Sequence, residues 1–92
     1  MVGSKMSRME QDPQAVAQLE ALAQRTEERA AHARRNADLA RDEARRNAEQ
    51  RDHKAERLHL REAELHEEVA RVTEKTAALY RSRIRYLRGR EP

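Results

Sequence analysis

The chain of 92 residues contains no cysteine, phenylalanine or tryptophan, and it has only two glycines, two prolines and two tyrosines. Without cysteine it can form no disulfide, no thiolate metal site and no thiol nucleophile. No apolar run approaches the roughly 20 residues that cross a bilayer, and the first residues lack the apolar core of a signal peptide. These absences favour a cytoplasmic protein without disulfides.

The stretch between Pro13 and Gly89 contains neither glycine nor proline and is rich in alanine, arginine, glutamate and leucine. These residues favour helix, proline fits the first helical position, and glycine fits the end. The sequence therefore predicts an all-α protein with one continuous helix over 13–88, about 114 Å long, capped by Asp12. We expect residues 1–11 to be a disordered lead or cloning remnant, and 90–92 to be a tail.

Only 37% of the residues are hydrophobic, and many of these are alanine, so a lone helix would bury too little surface to offset its ordering entropy. We therefore expect the helix (12–89) to be stabilised by a partner helix. Its first part, 22–54, is an alanine-lined shaft in which the run 33–38 recurs at 44–49, eleven residues later. An eleven-residue repeat predicts a nearly straight or weakly right-handed helix.

This eleven-residue pattern, over residues 22–65, is similar to that of late-embryogenesis-abundant and other 11-mer amphipathic helices. The resemblance implies a stress-protective chain that is disordered in dilute solution and becomes helical on membranes or on drying. The heptads that follow Ala55 favour a helix partner instead.

From Ala55 to Leu79 the apolar residues follow a heptad pattern typical of a coiled-coil zipper. Leucine at most d positions and valine at an a position favour a parallel dimer. Glu62, Thr76 and Arg83 interrupt the seam, where the two charges would face opposite charges in another chain or reach solvent. The predicted oligomer interface comprises Leu19, Leu22, Ala55, Leu58, Leu65, Val69, Val72, Thr76, Leu79 and Tyr86.

A helical hairpin that assembles into a bundle is the alternative architecture. Residues 50–54 are the poorest helix formers of the long stretch, and folding back there would bring Leu19 and Leu22 near the C-terminal leucines. Helix connections are usually marked by glycine, proline or a capping serine or threonine, and none occurs here. The sequence therefore favours the continuous helix over the hairpin.

Four side chains have spacings that a metal site in a helical bundle could use: Glu56, His59, Glu62 and His66. The Glu-x-x-His spacing puts both side chains on one helical face, as in di-iron bundles. Such spacings also arise by chance in a glutamate-rich helix, so we expect no metal and no cofactor. The chain has no glycine-rich phosphate loop and no arrangement of a nucleophile with a base, so we expect no enzyme and no small-molecule substrate.

The positive net charge of +3 comes from the C-terminal end, because residues 1–79 are nearly balanced and residues 80–92 carry five arginines. The predicted anion-binding residues are Arg81, Arg83, Arg85, Arg88 and Arg90. They could bind nucleic acid or an anionic membrane, or simply complement the negative end of the helix dipole.

Together these features predict a non-catalytic coiled-coil scaffold or spacer that self-associates, or that pairs with another coiled-coil protein. Nucleic-acid or anionic-membrane binding through residues 80–90 is the first alternative. The stress-protective 11-mer helix is the second.

Overall fold

A computed structural model describes residues 13–89 as two helices of equal length, α1 (Pro13–Glu49) and α2 (His53–Gly89), and no strand occurs within them. The all-α prediction is confirmed. The predicted continuous helix is wrong and the alternative helical hairpin fits, because the chain reverses after Glu49 and the helices pack antiparallel. Each helix is about 55 Å long at 1.5 Å per residue, half the expected rod. The predicted cap Asp12, the lead 1–11 and the tail 90–92 lie outside the described residues.

The reversal is made by a short turn between Glu49 and His53. Arg51 has a φ of 59°, in the left-handed region where helix C-termini usually place glycine. Its N–H donates to the carbonyl of Ala48 at 3.0 Å, and the Asp52 N–H donates to the carbonyl of Asn47 at 2.8 Å. These two bonds form a Schellman motif, which satisfies the last carbonyls of α1.

Asp52 also starts α2. Its side-chain Oδ1 accepts from the N–H of Ala55 at 3.2 Å, and its carbonyl accepts the first helical bond, from Glu56 at 3.0 Å. This is the N-cap geometry that aspartate favours. One residue therefore ends the first helix and begins the second, and no glycine or proline is needed between them.

The two helices meet along a seam of small side chains, hereafter the inner seam. Its buried members in α1 are Val16, Ala23, Thr26, Ala30, Ala33, Ala37, Ala40 and Ala44. Its buried members in α2 are Ala63, Ala70, Ala77, Ile84 and Leu87. Within each helix, members recur at seven-residue intervals, as in a coiled coil. In the predicted shaft 22–54, the buried residues are thus spaced as heptads and do not follow the eleven-residue repeat, because these residues face α2 along a coiled-coil seam.

Alanine in the seam lets the two backbones approach closely, and the larger side chains are confined to the open end of the hairpin. There Val16, Ala23, Ile84 and Leu87 form the hydrophobic core, with Leu19 and Tyr80 packed against it. The buried hydroxyl of Thr26 donates to the carbonyl of Leu22 at 2.7 Å, so it adds no unsatisfied polar group.

A ladder of four ion pairs flanks the inner seam on one side of the hairpin. The pairs are Glu20–Arg88, Glu27–Arg81, Arg34–Glu74 and Arg41–Glu67. Successive members are seven residues apart in both helices, and in each helix two glutamates precede two arginines. Antiparallel packing pairs every glutamate with an arginine, whereas parallel packing in the same register would place like charges together. The ladder therefore specifies both the direction and the register of the hairpin.

The Glu27–Arg81 pair has the best-defined geometry of the ladder. Arg81 donates from Nη2 to Oε1 of Glu27 at 2.7 Å and from Nε to Oε2 at 3.1 Å. These hydrogen bonds lower the pKa of Glu27 and raise the pKa of Arg81. A two-bonded arginine and carboxylate fix geometry better than a single contact.

Candidate interaction surface

The hairpin leaves several large apolar side chains of α2 on the outside. Five of them, seven residues apart, form one line that we call the outer row: Leu58, Leu65, Val72, Leu79 and Tyr86. Their exposed fractions run from 51% for Tyr86 to 70% for Leu79, and the adjacent Val69 is also exposed. A contiguous apolar line of this length on the surface is typical of an interaction site.

The outer row and the inner seam occupy nearly opposite faces of α2. Val72 follows the buried Ala70 by two residues, and Leu79 follows the buried Ala77 by two. At 3.6 residues per turn, two residues are about 200° apart around the helix. The hairpin therefore cannot cover the outer row with its own α1.

The predicted oligomer-interface residues fall into three groups in this structure. Leu19 packs against the core of the hairpin, and Leu22 is 37% exposed on α1. Ala55 and Thr76 are half-buried beside the outer row. The remaining members are Val69 and the outer row itself. Their role in self-association stays a prediction, and the structure adds that they share one face of α2.

Three of the four candidate metal ligands, Glu62, His59 and His66, lie close together, and the fourth, Glu56, contacts a different histidine. Glu56 pairs with His53, its Oε1 lying 2.9 Å from Nδ1. Glu62 lies between two histidines, 3.5 Å from Nδ1 of His59 and 3.7 Å from Nε2 of His66. Residues 13–89 contain no group of three or more such ligands that could hold a metal ion.

Glu62, His59 and His66 border an open groove between the two helices, which Leu39 and Glu43 of α1 line from the other side. The pKa of Glu43 is lowered, first by its hydrogen bond to Arg46 and also by His59 across the groove. The groove therefore presents one glutamate from each helix and two imidazoles from α2.

Some arginines of the C-terminal end pair with α1, and others do not. Arg81 and Arg88 belong to the ion-pair ladder and face α1 glutamates. Arg83 lies over the ring of Tyr86, 5.4 Å from its centroid, and Arg85 is exposed. Arg90 lies outside the described residues. Anion binding by this end stays a prediction, and two of its five arginines already hold the hairpin together.

Neither α1 nor α2, the two helices of the described range, has an apolar stretch long enough to cross a membrane. Comparison with protein-family models, with curated proteins and with solved structures gave no match. Inference about function therefore depends on the geometry of the hairpin.

Sequence reasoning missed the inner seam and the ladder, and it placed the turn, at residues 50–54, only in the alternative architecture. The sequence contains a signal for the ladder. Two glutamates and then two arginines follow each other at seven-residue intervals at 20, 27, 34 and 41, and the same order recurs at 67, 74, 81 and 88. The turn also had one, because Asp52 is a good helix cap in front of a helix-forming run. The inner seam was harder to find, because alanine is common on every face of both helices.

Proposed function

We propose that this chain is a non-catalytic assembly module, a helical hairpin that self-associates through the outer row of α2. One observation carries the proposal: five large apolar side chains at heptad spacing face outward while alanines fill the inner seam. At about 25 cal/mol per Å², covering these side chains would supply a substantial driving force for association.

A helix of the same kind is the partner that this surface fits best. Heptad spacing matches the repeat of another helix in a coiled coil, so knobs of one row can enter holes of the other. A second copy presents the same row, and the exposed Glu68 and Lys75 beside it provide opposite charges for each other. Self-association therefore needs no further component.

Sedimentation equilibrium over a wide concentration range tests the proposal. Wild type should change from hairpin monomer to dimer with rising concentration, while helical circular dichroism persists at the lowest concentrations. Replacing both Leu65→Glu and Leu79→Glu should weaken dimerisation by at least about a hundredfold, because two buried leucines are lost and charges enter the interface. The matched control is Leu60→Glu, which changes an exposed leucine of α2 away from the outer row.

Two results would contradict this function. A wild-type chain that stays monomeric at every concentration would remove the self-association. A control variant that dissociates as readily as the double variant would show that charge, and not the outer row, decides. A chain that is unfolded in dilute solution and becomes helical only on drying or on anionic vesicles would favour the stress-protective alternative.

A further inference from the structure

Two charged residues of α2, Glu68 and Lys75, flank the outer row. Glu68 and Lys75 lie on the flank of the row that points away from α1, and both are exposed. Neither forms an ion pair with any residue of the range 13–89. They are therefore available to a second chain that covers the row.

We propose that the second copy docks with its α2 antiparallel to the first, with Val69 level with the partner's Val72. Two hairpins joined in this way form an assembly of four helices in which the two α2 helices lie at the centre, the two α1 helices lie outside them, and the two turns lie at opposite ends. The proposal rests on the self-association proposed above, and it adds the orientation and the register of the partner.

The seam charges select the antiparallel orientation. In a parallel, in-register pair, Glu62 would meet the partner's Glu62, and Arg83 would meet the partner's Arg83, within the apolar row. Like charges placed opposite each other in an interface are unfavourable. In the antiparallel register, Arg83 is level with the partner's Leu58, one helical turn from the partner's Glu62. The same two residues then attract each other across the interface.

The flanking charges select the register. With Val69 level with the partner's Val72, Glu68 lies beside the partner's Lys75, and the two-fold axis repeats this pair. A shift by one heptad in one direction would place Lys75 beside the partner's Lys75. A shift in the other direction would place Glu68 beside the partner's Glu68. Among these three registers, the one with Val69 and Val72 level therefore pairs opposite charges on this flank.

Distances between spin labels on two copies test the orientation directly. Because the chain has no cysteine, single cysteines at the exposed positions Arg57, Arg71 and Arg85 give one label per chain. In the antiparallel register, position 71 of one chain lies almost level with position 71 of the other chain. Positions 57 and 85 are displaced from theirs by about 40 Å along the axis, at 1.5 Å per residue.

We expect a short distance for Arg71→Cys and long distances of about 40 Å or more for Arg57→Cys and Arg85→Cys. Short distances at all three positions would mean a parallel dimer, which overturns this inference but leaves the assembly function standing. No dipolar coupling at any position, together with a monomeric mass, would overturn both.

Charge exchange tests the register without labels. The Glu68→Lys variant should dimerise roughly threefold to thirtyfold more weakly, because two attractive pairs become repulsive. Adding Lys75→Glu to it should restore the affinity. Since both residues are exposed, the helical circular dichroism of the hairpin should be unchanged in both variants. Equal affinity of wild type and Glu68→Lys would overturn the proposed register.

Discussion

The two faces of α2 differ in a way that reverses the usual relation between side-chain size and burial. The inner seam carries Ala63, Ala70 and Ala77, while the outer row carries larger apolar side chains two residues after each of them. Burying leucine would give more hydrophobic stabilisation than burying alanine. The chain nevertheless folds back on its alanines, because small side chains allow close backbone packing and the ladder fixes the helices on that side.

The self-association proposed above gives each face of α2 a different partner. The inner seam contacts a helix of the same chain, held at high effective concentration by a three-residue turn. In the proposed dimer, the outer row attracts its partner from solution, so it needs the greater burial per residue. Under this proposal the large side chains serve the intermolecular contact, and the small ones serve the intramolecular contact.

The largest expected effect comes from enlarging a side chain of the inner seam. Ala70 is fully buried, so Ala70→Leu adds three carbon atoms to a close contact between the helices that has no space for them. We expect the free energy of unfolding to fall by about 1–3 kcal/mol, a loss of roughly 4–8 °C in Tm per kcal/mol. Urea unfolding should be followed by circular dichroism at a concentration where the chain is monomeric.

The matched change on the outer face is Leu65→Ala, which makes a large side chain small. Because Leu65 is 58% exposed in the hairpin, monomer stability should change by no more than about 0.5 kcal/mol, while dimerisation weakens. If Leu65→Ala destabilises the monomer more than Ala70→Leu does, the assignment of the two faces is reversed and the leucines form the seam.

The all-α class could be predicted because it depends on local preferences. An uninterrupted run of helix formers acts within a few residues of itself. The reversal at Arg51 could not be predicted from the same preferences. It places Arg51, a residue other than glycine, in the left-handed region, which costs about 1–2 kcal/mol and persists only because the seam and the ladder compensate.

The leucine heptads predicted an oligomer interface, and its members in the outer row share one face of α2. A single helix offered no other face for comparison. Once Ala63, Ala70 and Ala77 occupy the hairpin seam, the leucines must face outward. The sign pattern of the ladder was the one long-range signal in the sequence that distinguishes a hairpin from a rod.

A smaller effect, opposite in sign for hairpin and rod, is expected at the turn. In the hairpin, Arg51→Gly relieves the left-handed conformation and should raise the free energy of unfolding by about 0.5–1 kcal/mol. In a continuous helix the same change would lower it by about 1 kcal/mol. Arg57→Gly, at an exposed position inside α2, is the control and should lower it. The midpoints of urea unfolding, at unchanged m-values, give the stability change of each variant. A loss of stability in both variants would contradict a turn at Arg51.

The smallest effect concerns the ladder, which holds the inner seam in register while leaving the outer row untouched. Because Arg81 lowers the pKa of Glu27, this pair stabilises the hairpin above the ordinary glutamate pKa of about 4.3. That contribution disappears as the pH falls through the lowered value. Glu27→Gln should therefore have a lower Tm than wild type at pH 7, and the two melting curves should converge near pH 2. Glu28→Gln keeps the Glu27–Arg81 pair and is the control. A Tm difference between Glu27→Gln and wild type that stays the same from pH 7 to pH 2 would mean that Glu27 acts by packing. Its charge would then not help to determine which face of α2 packs against α1.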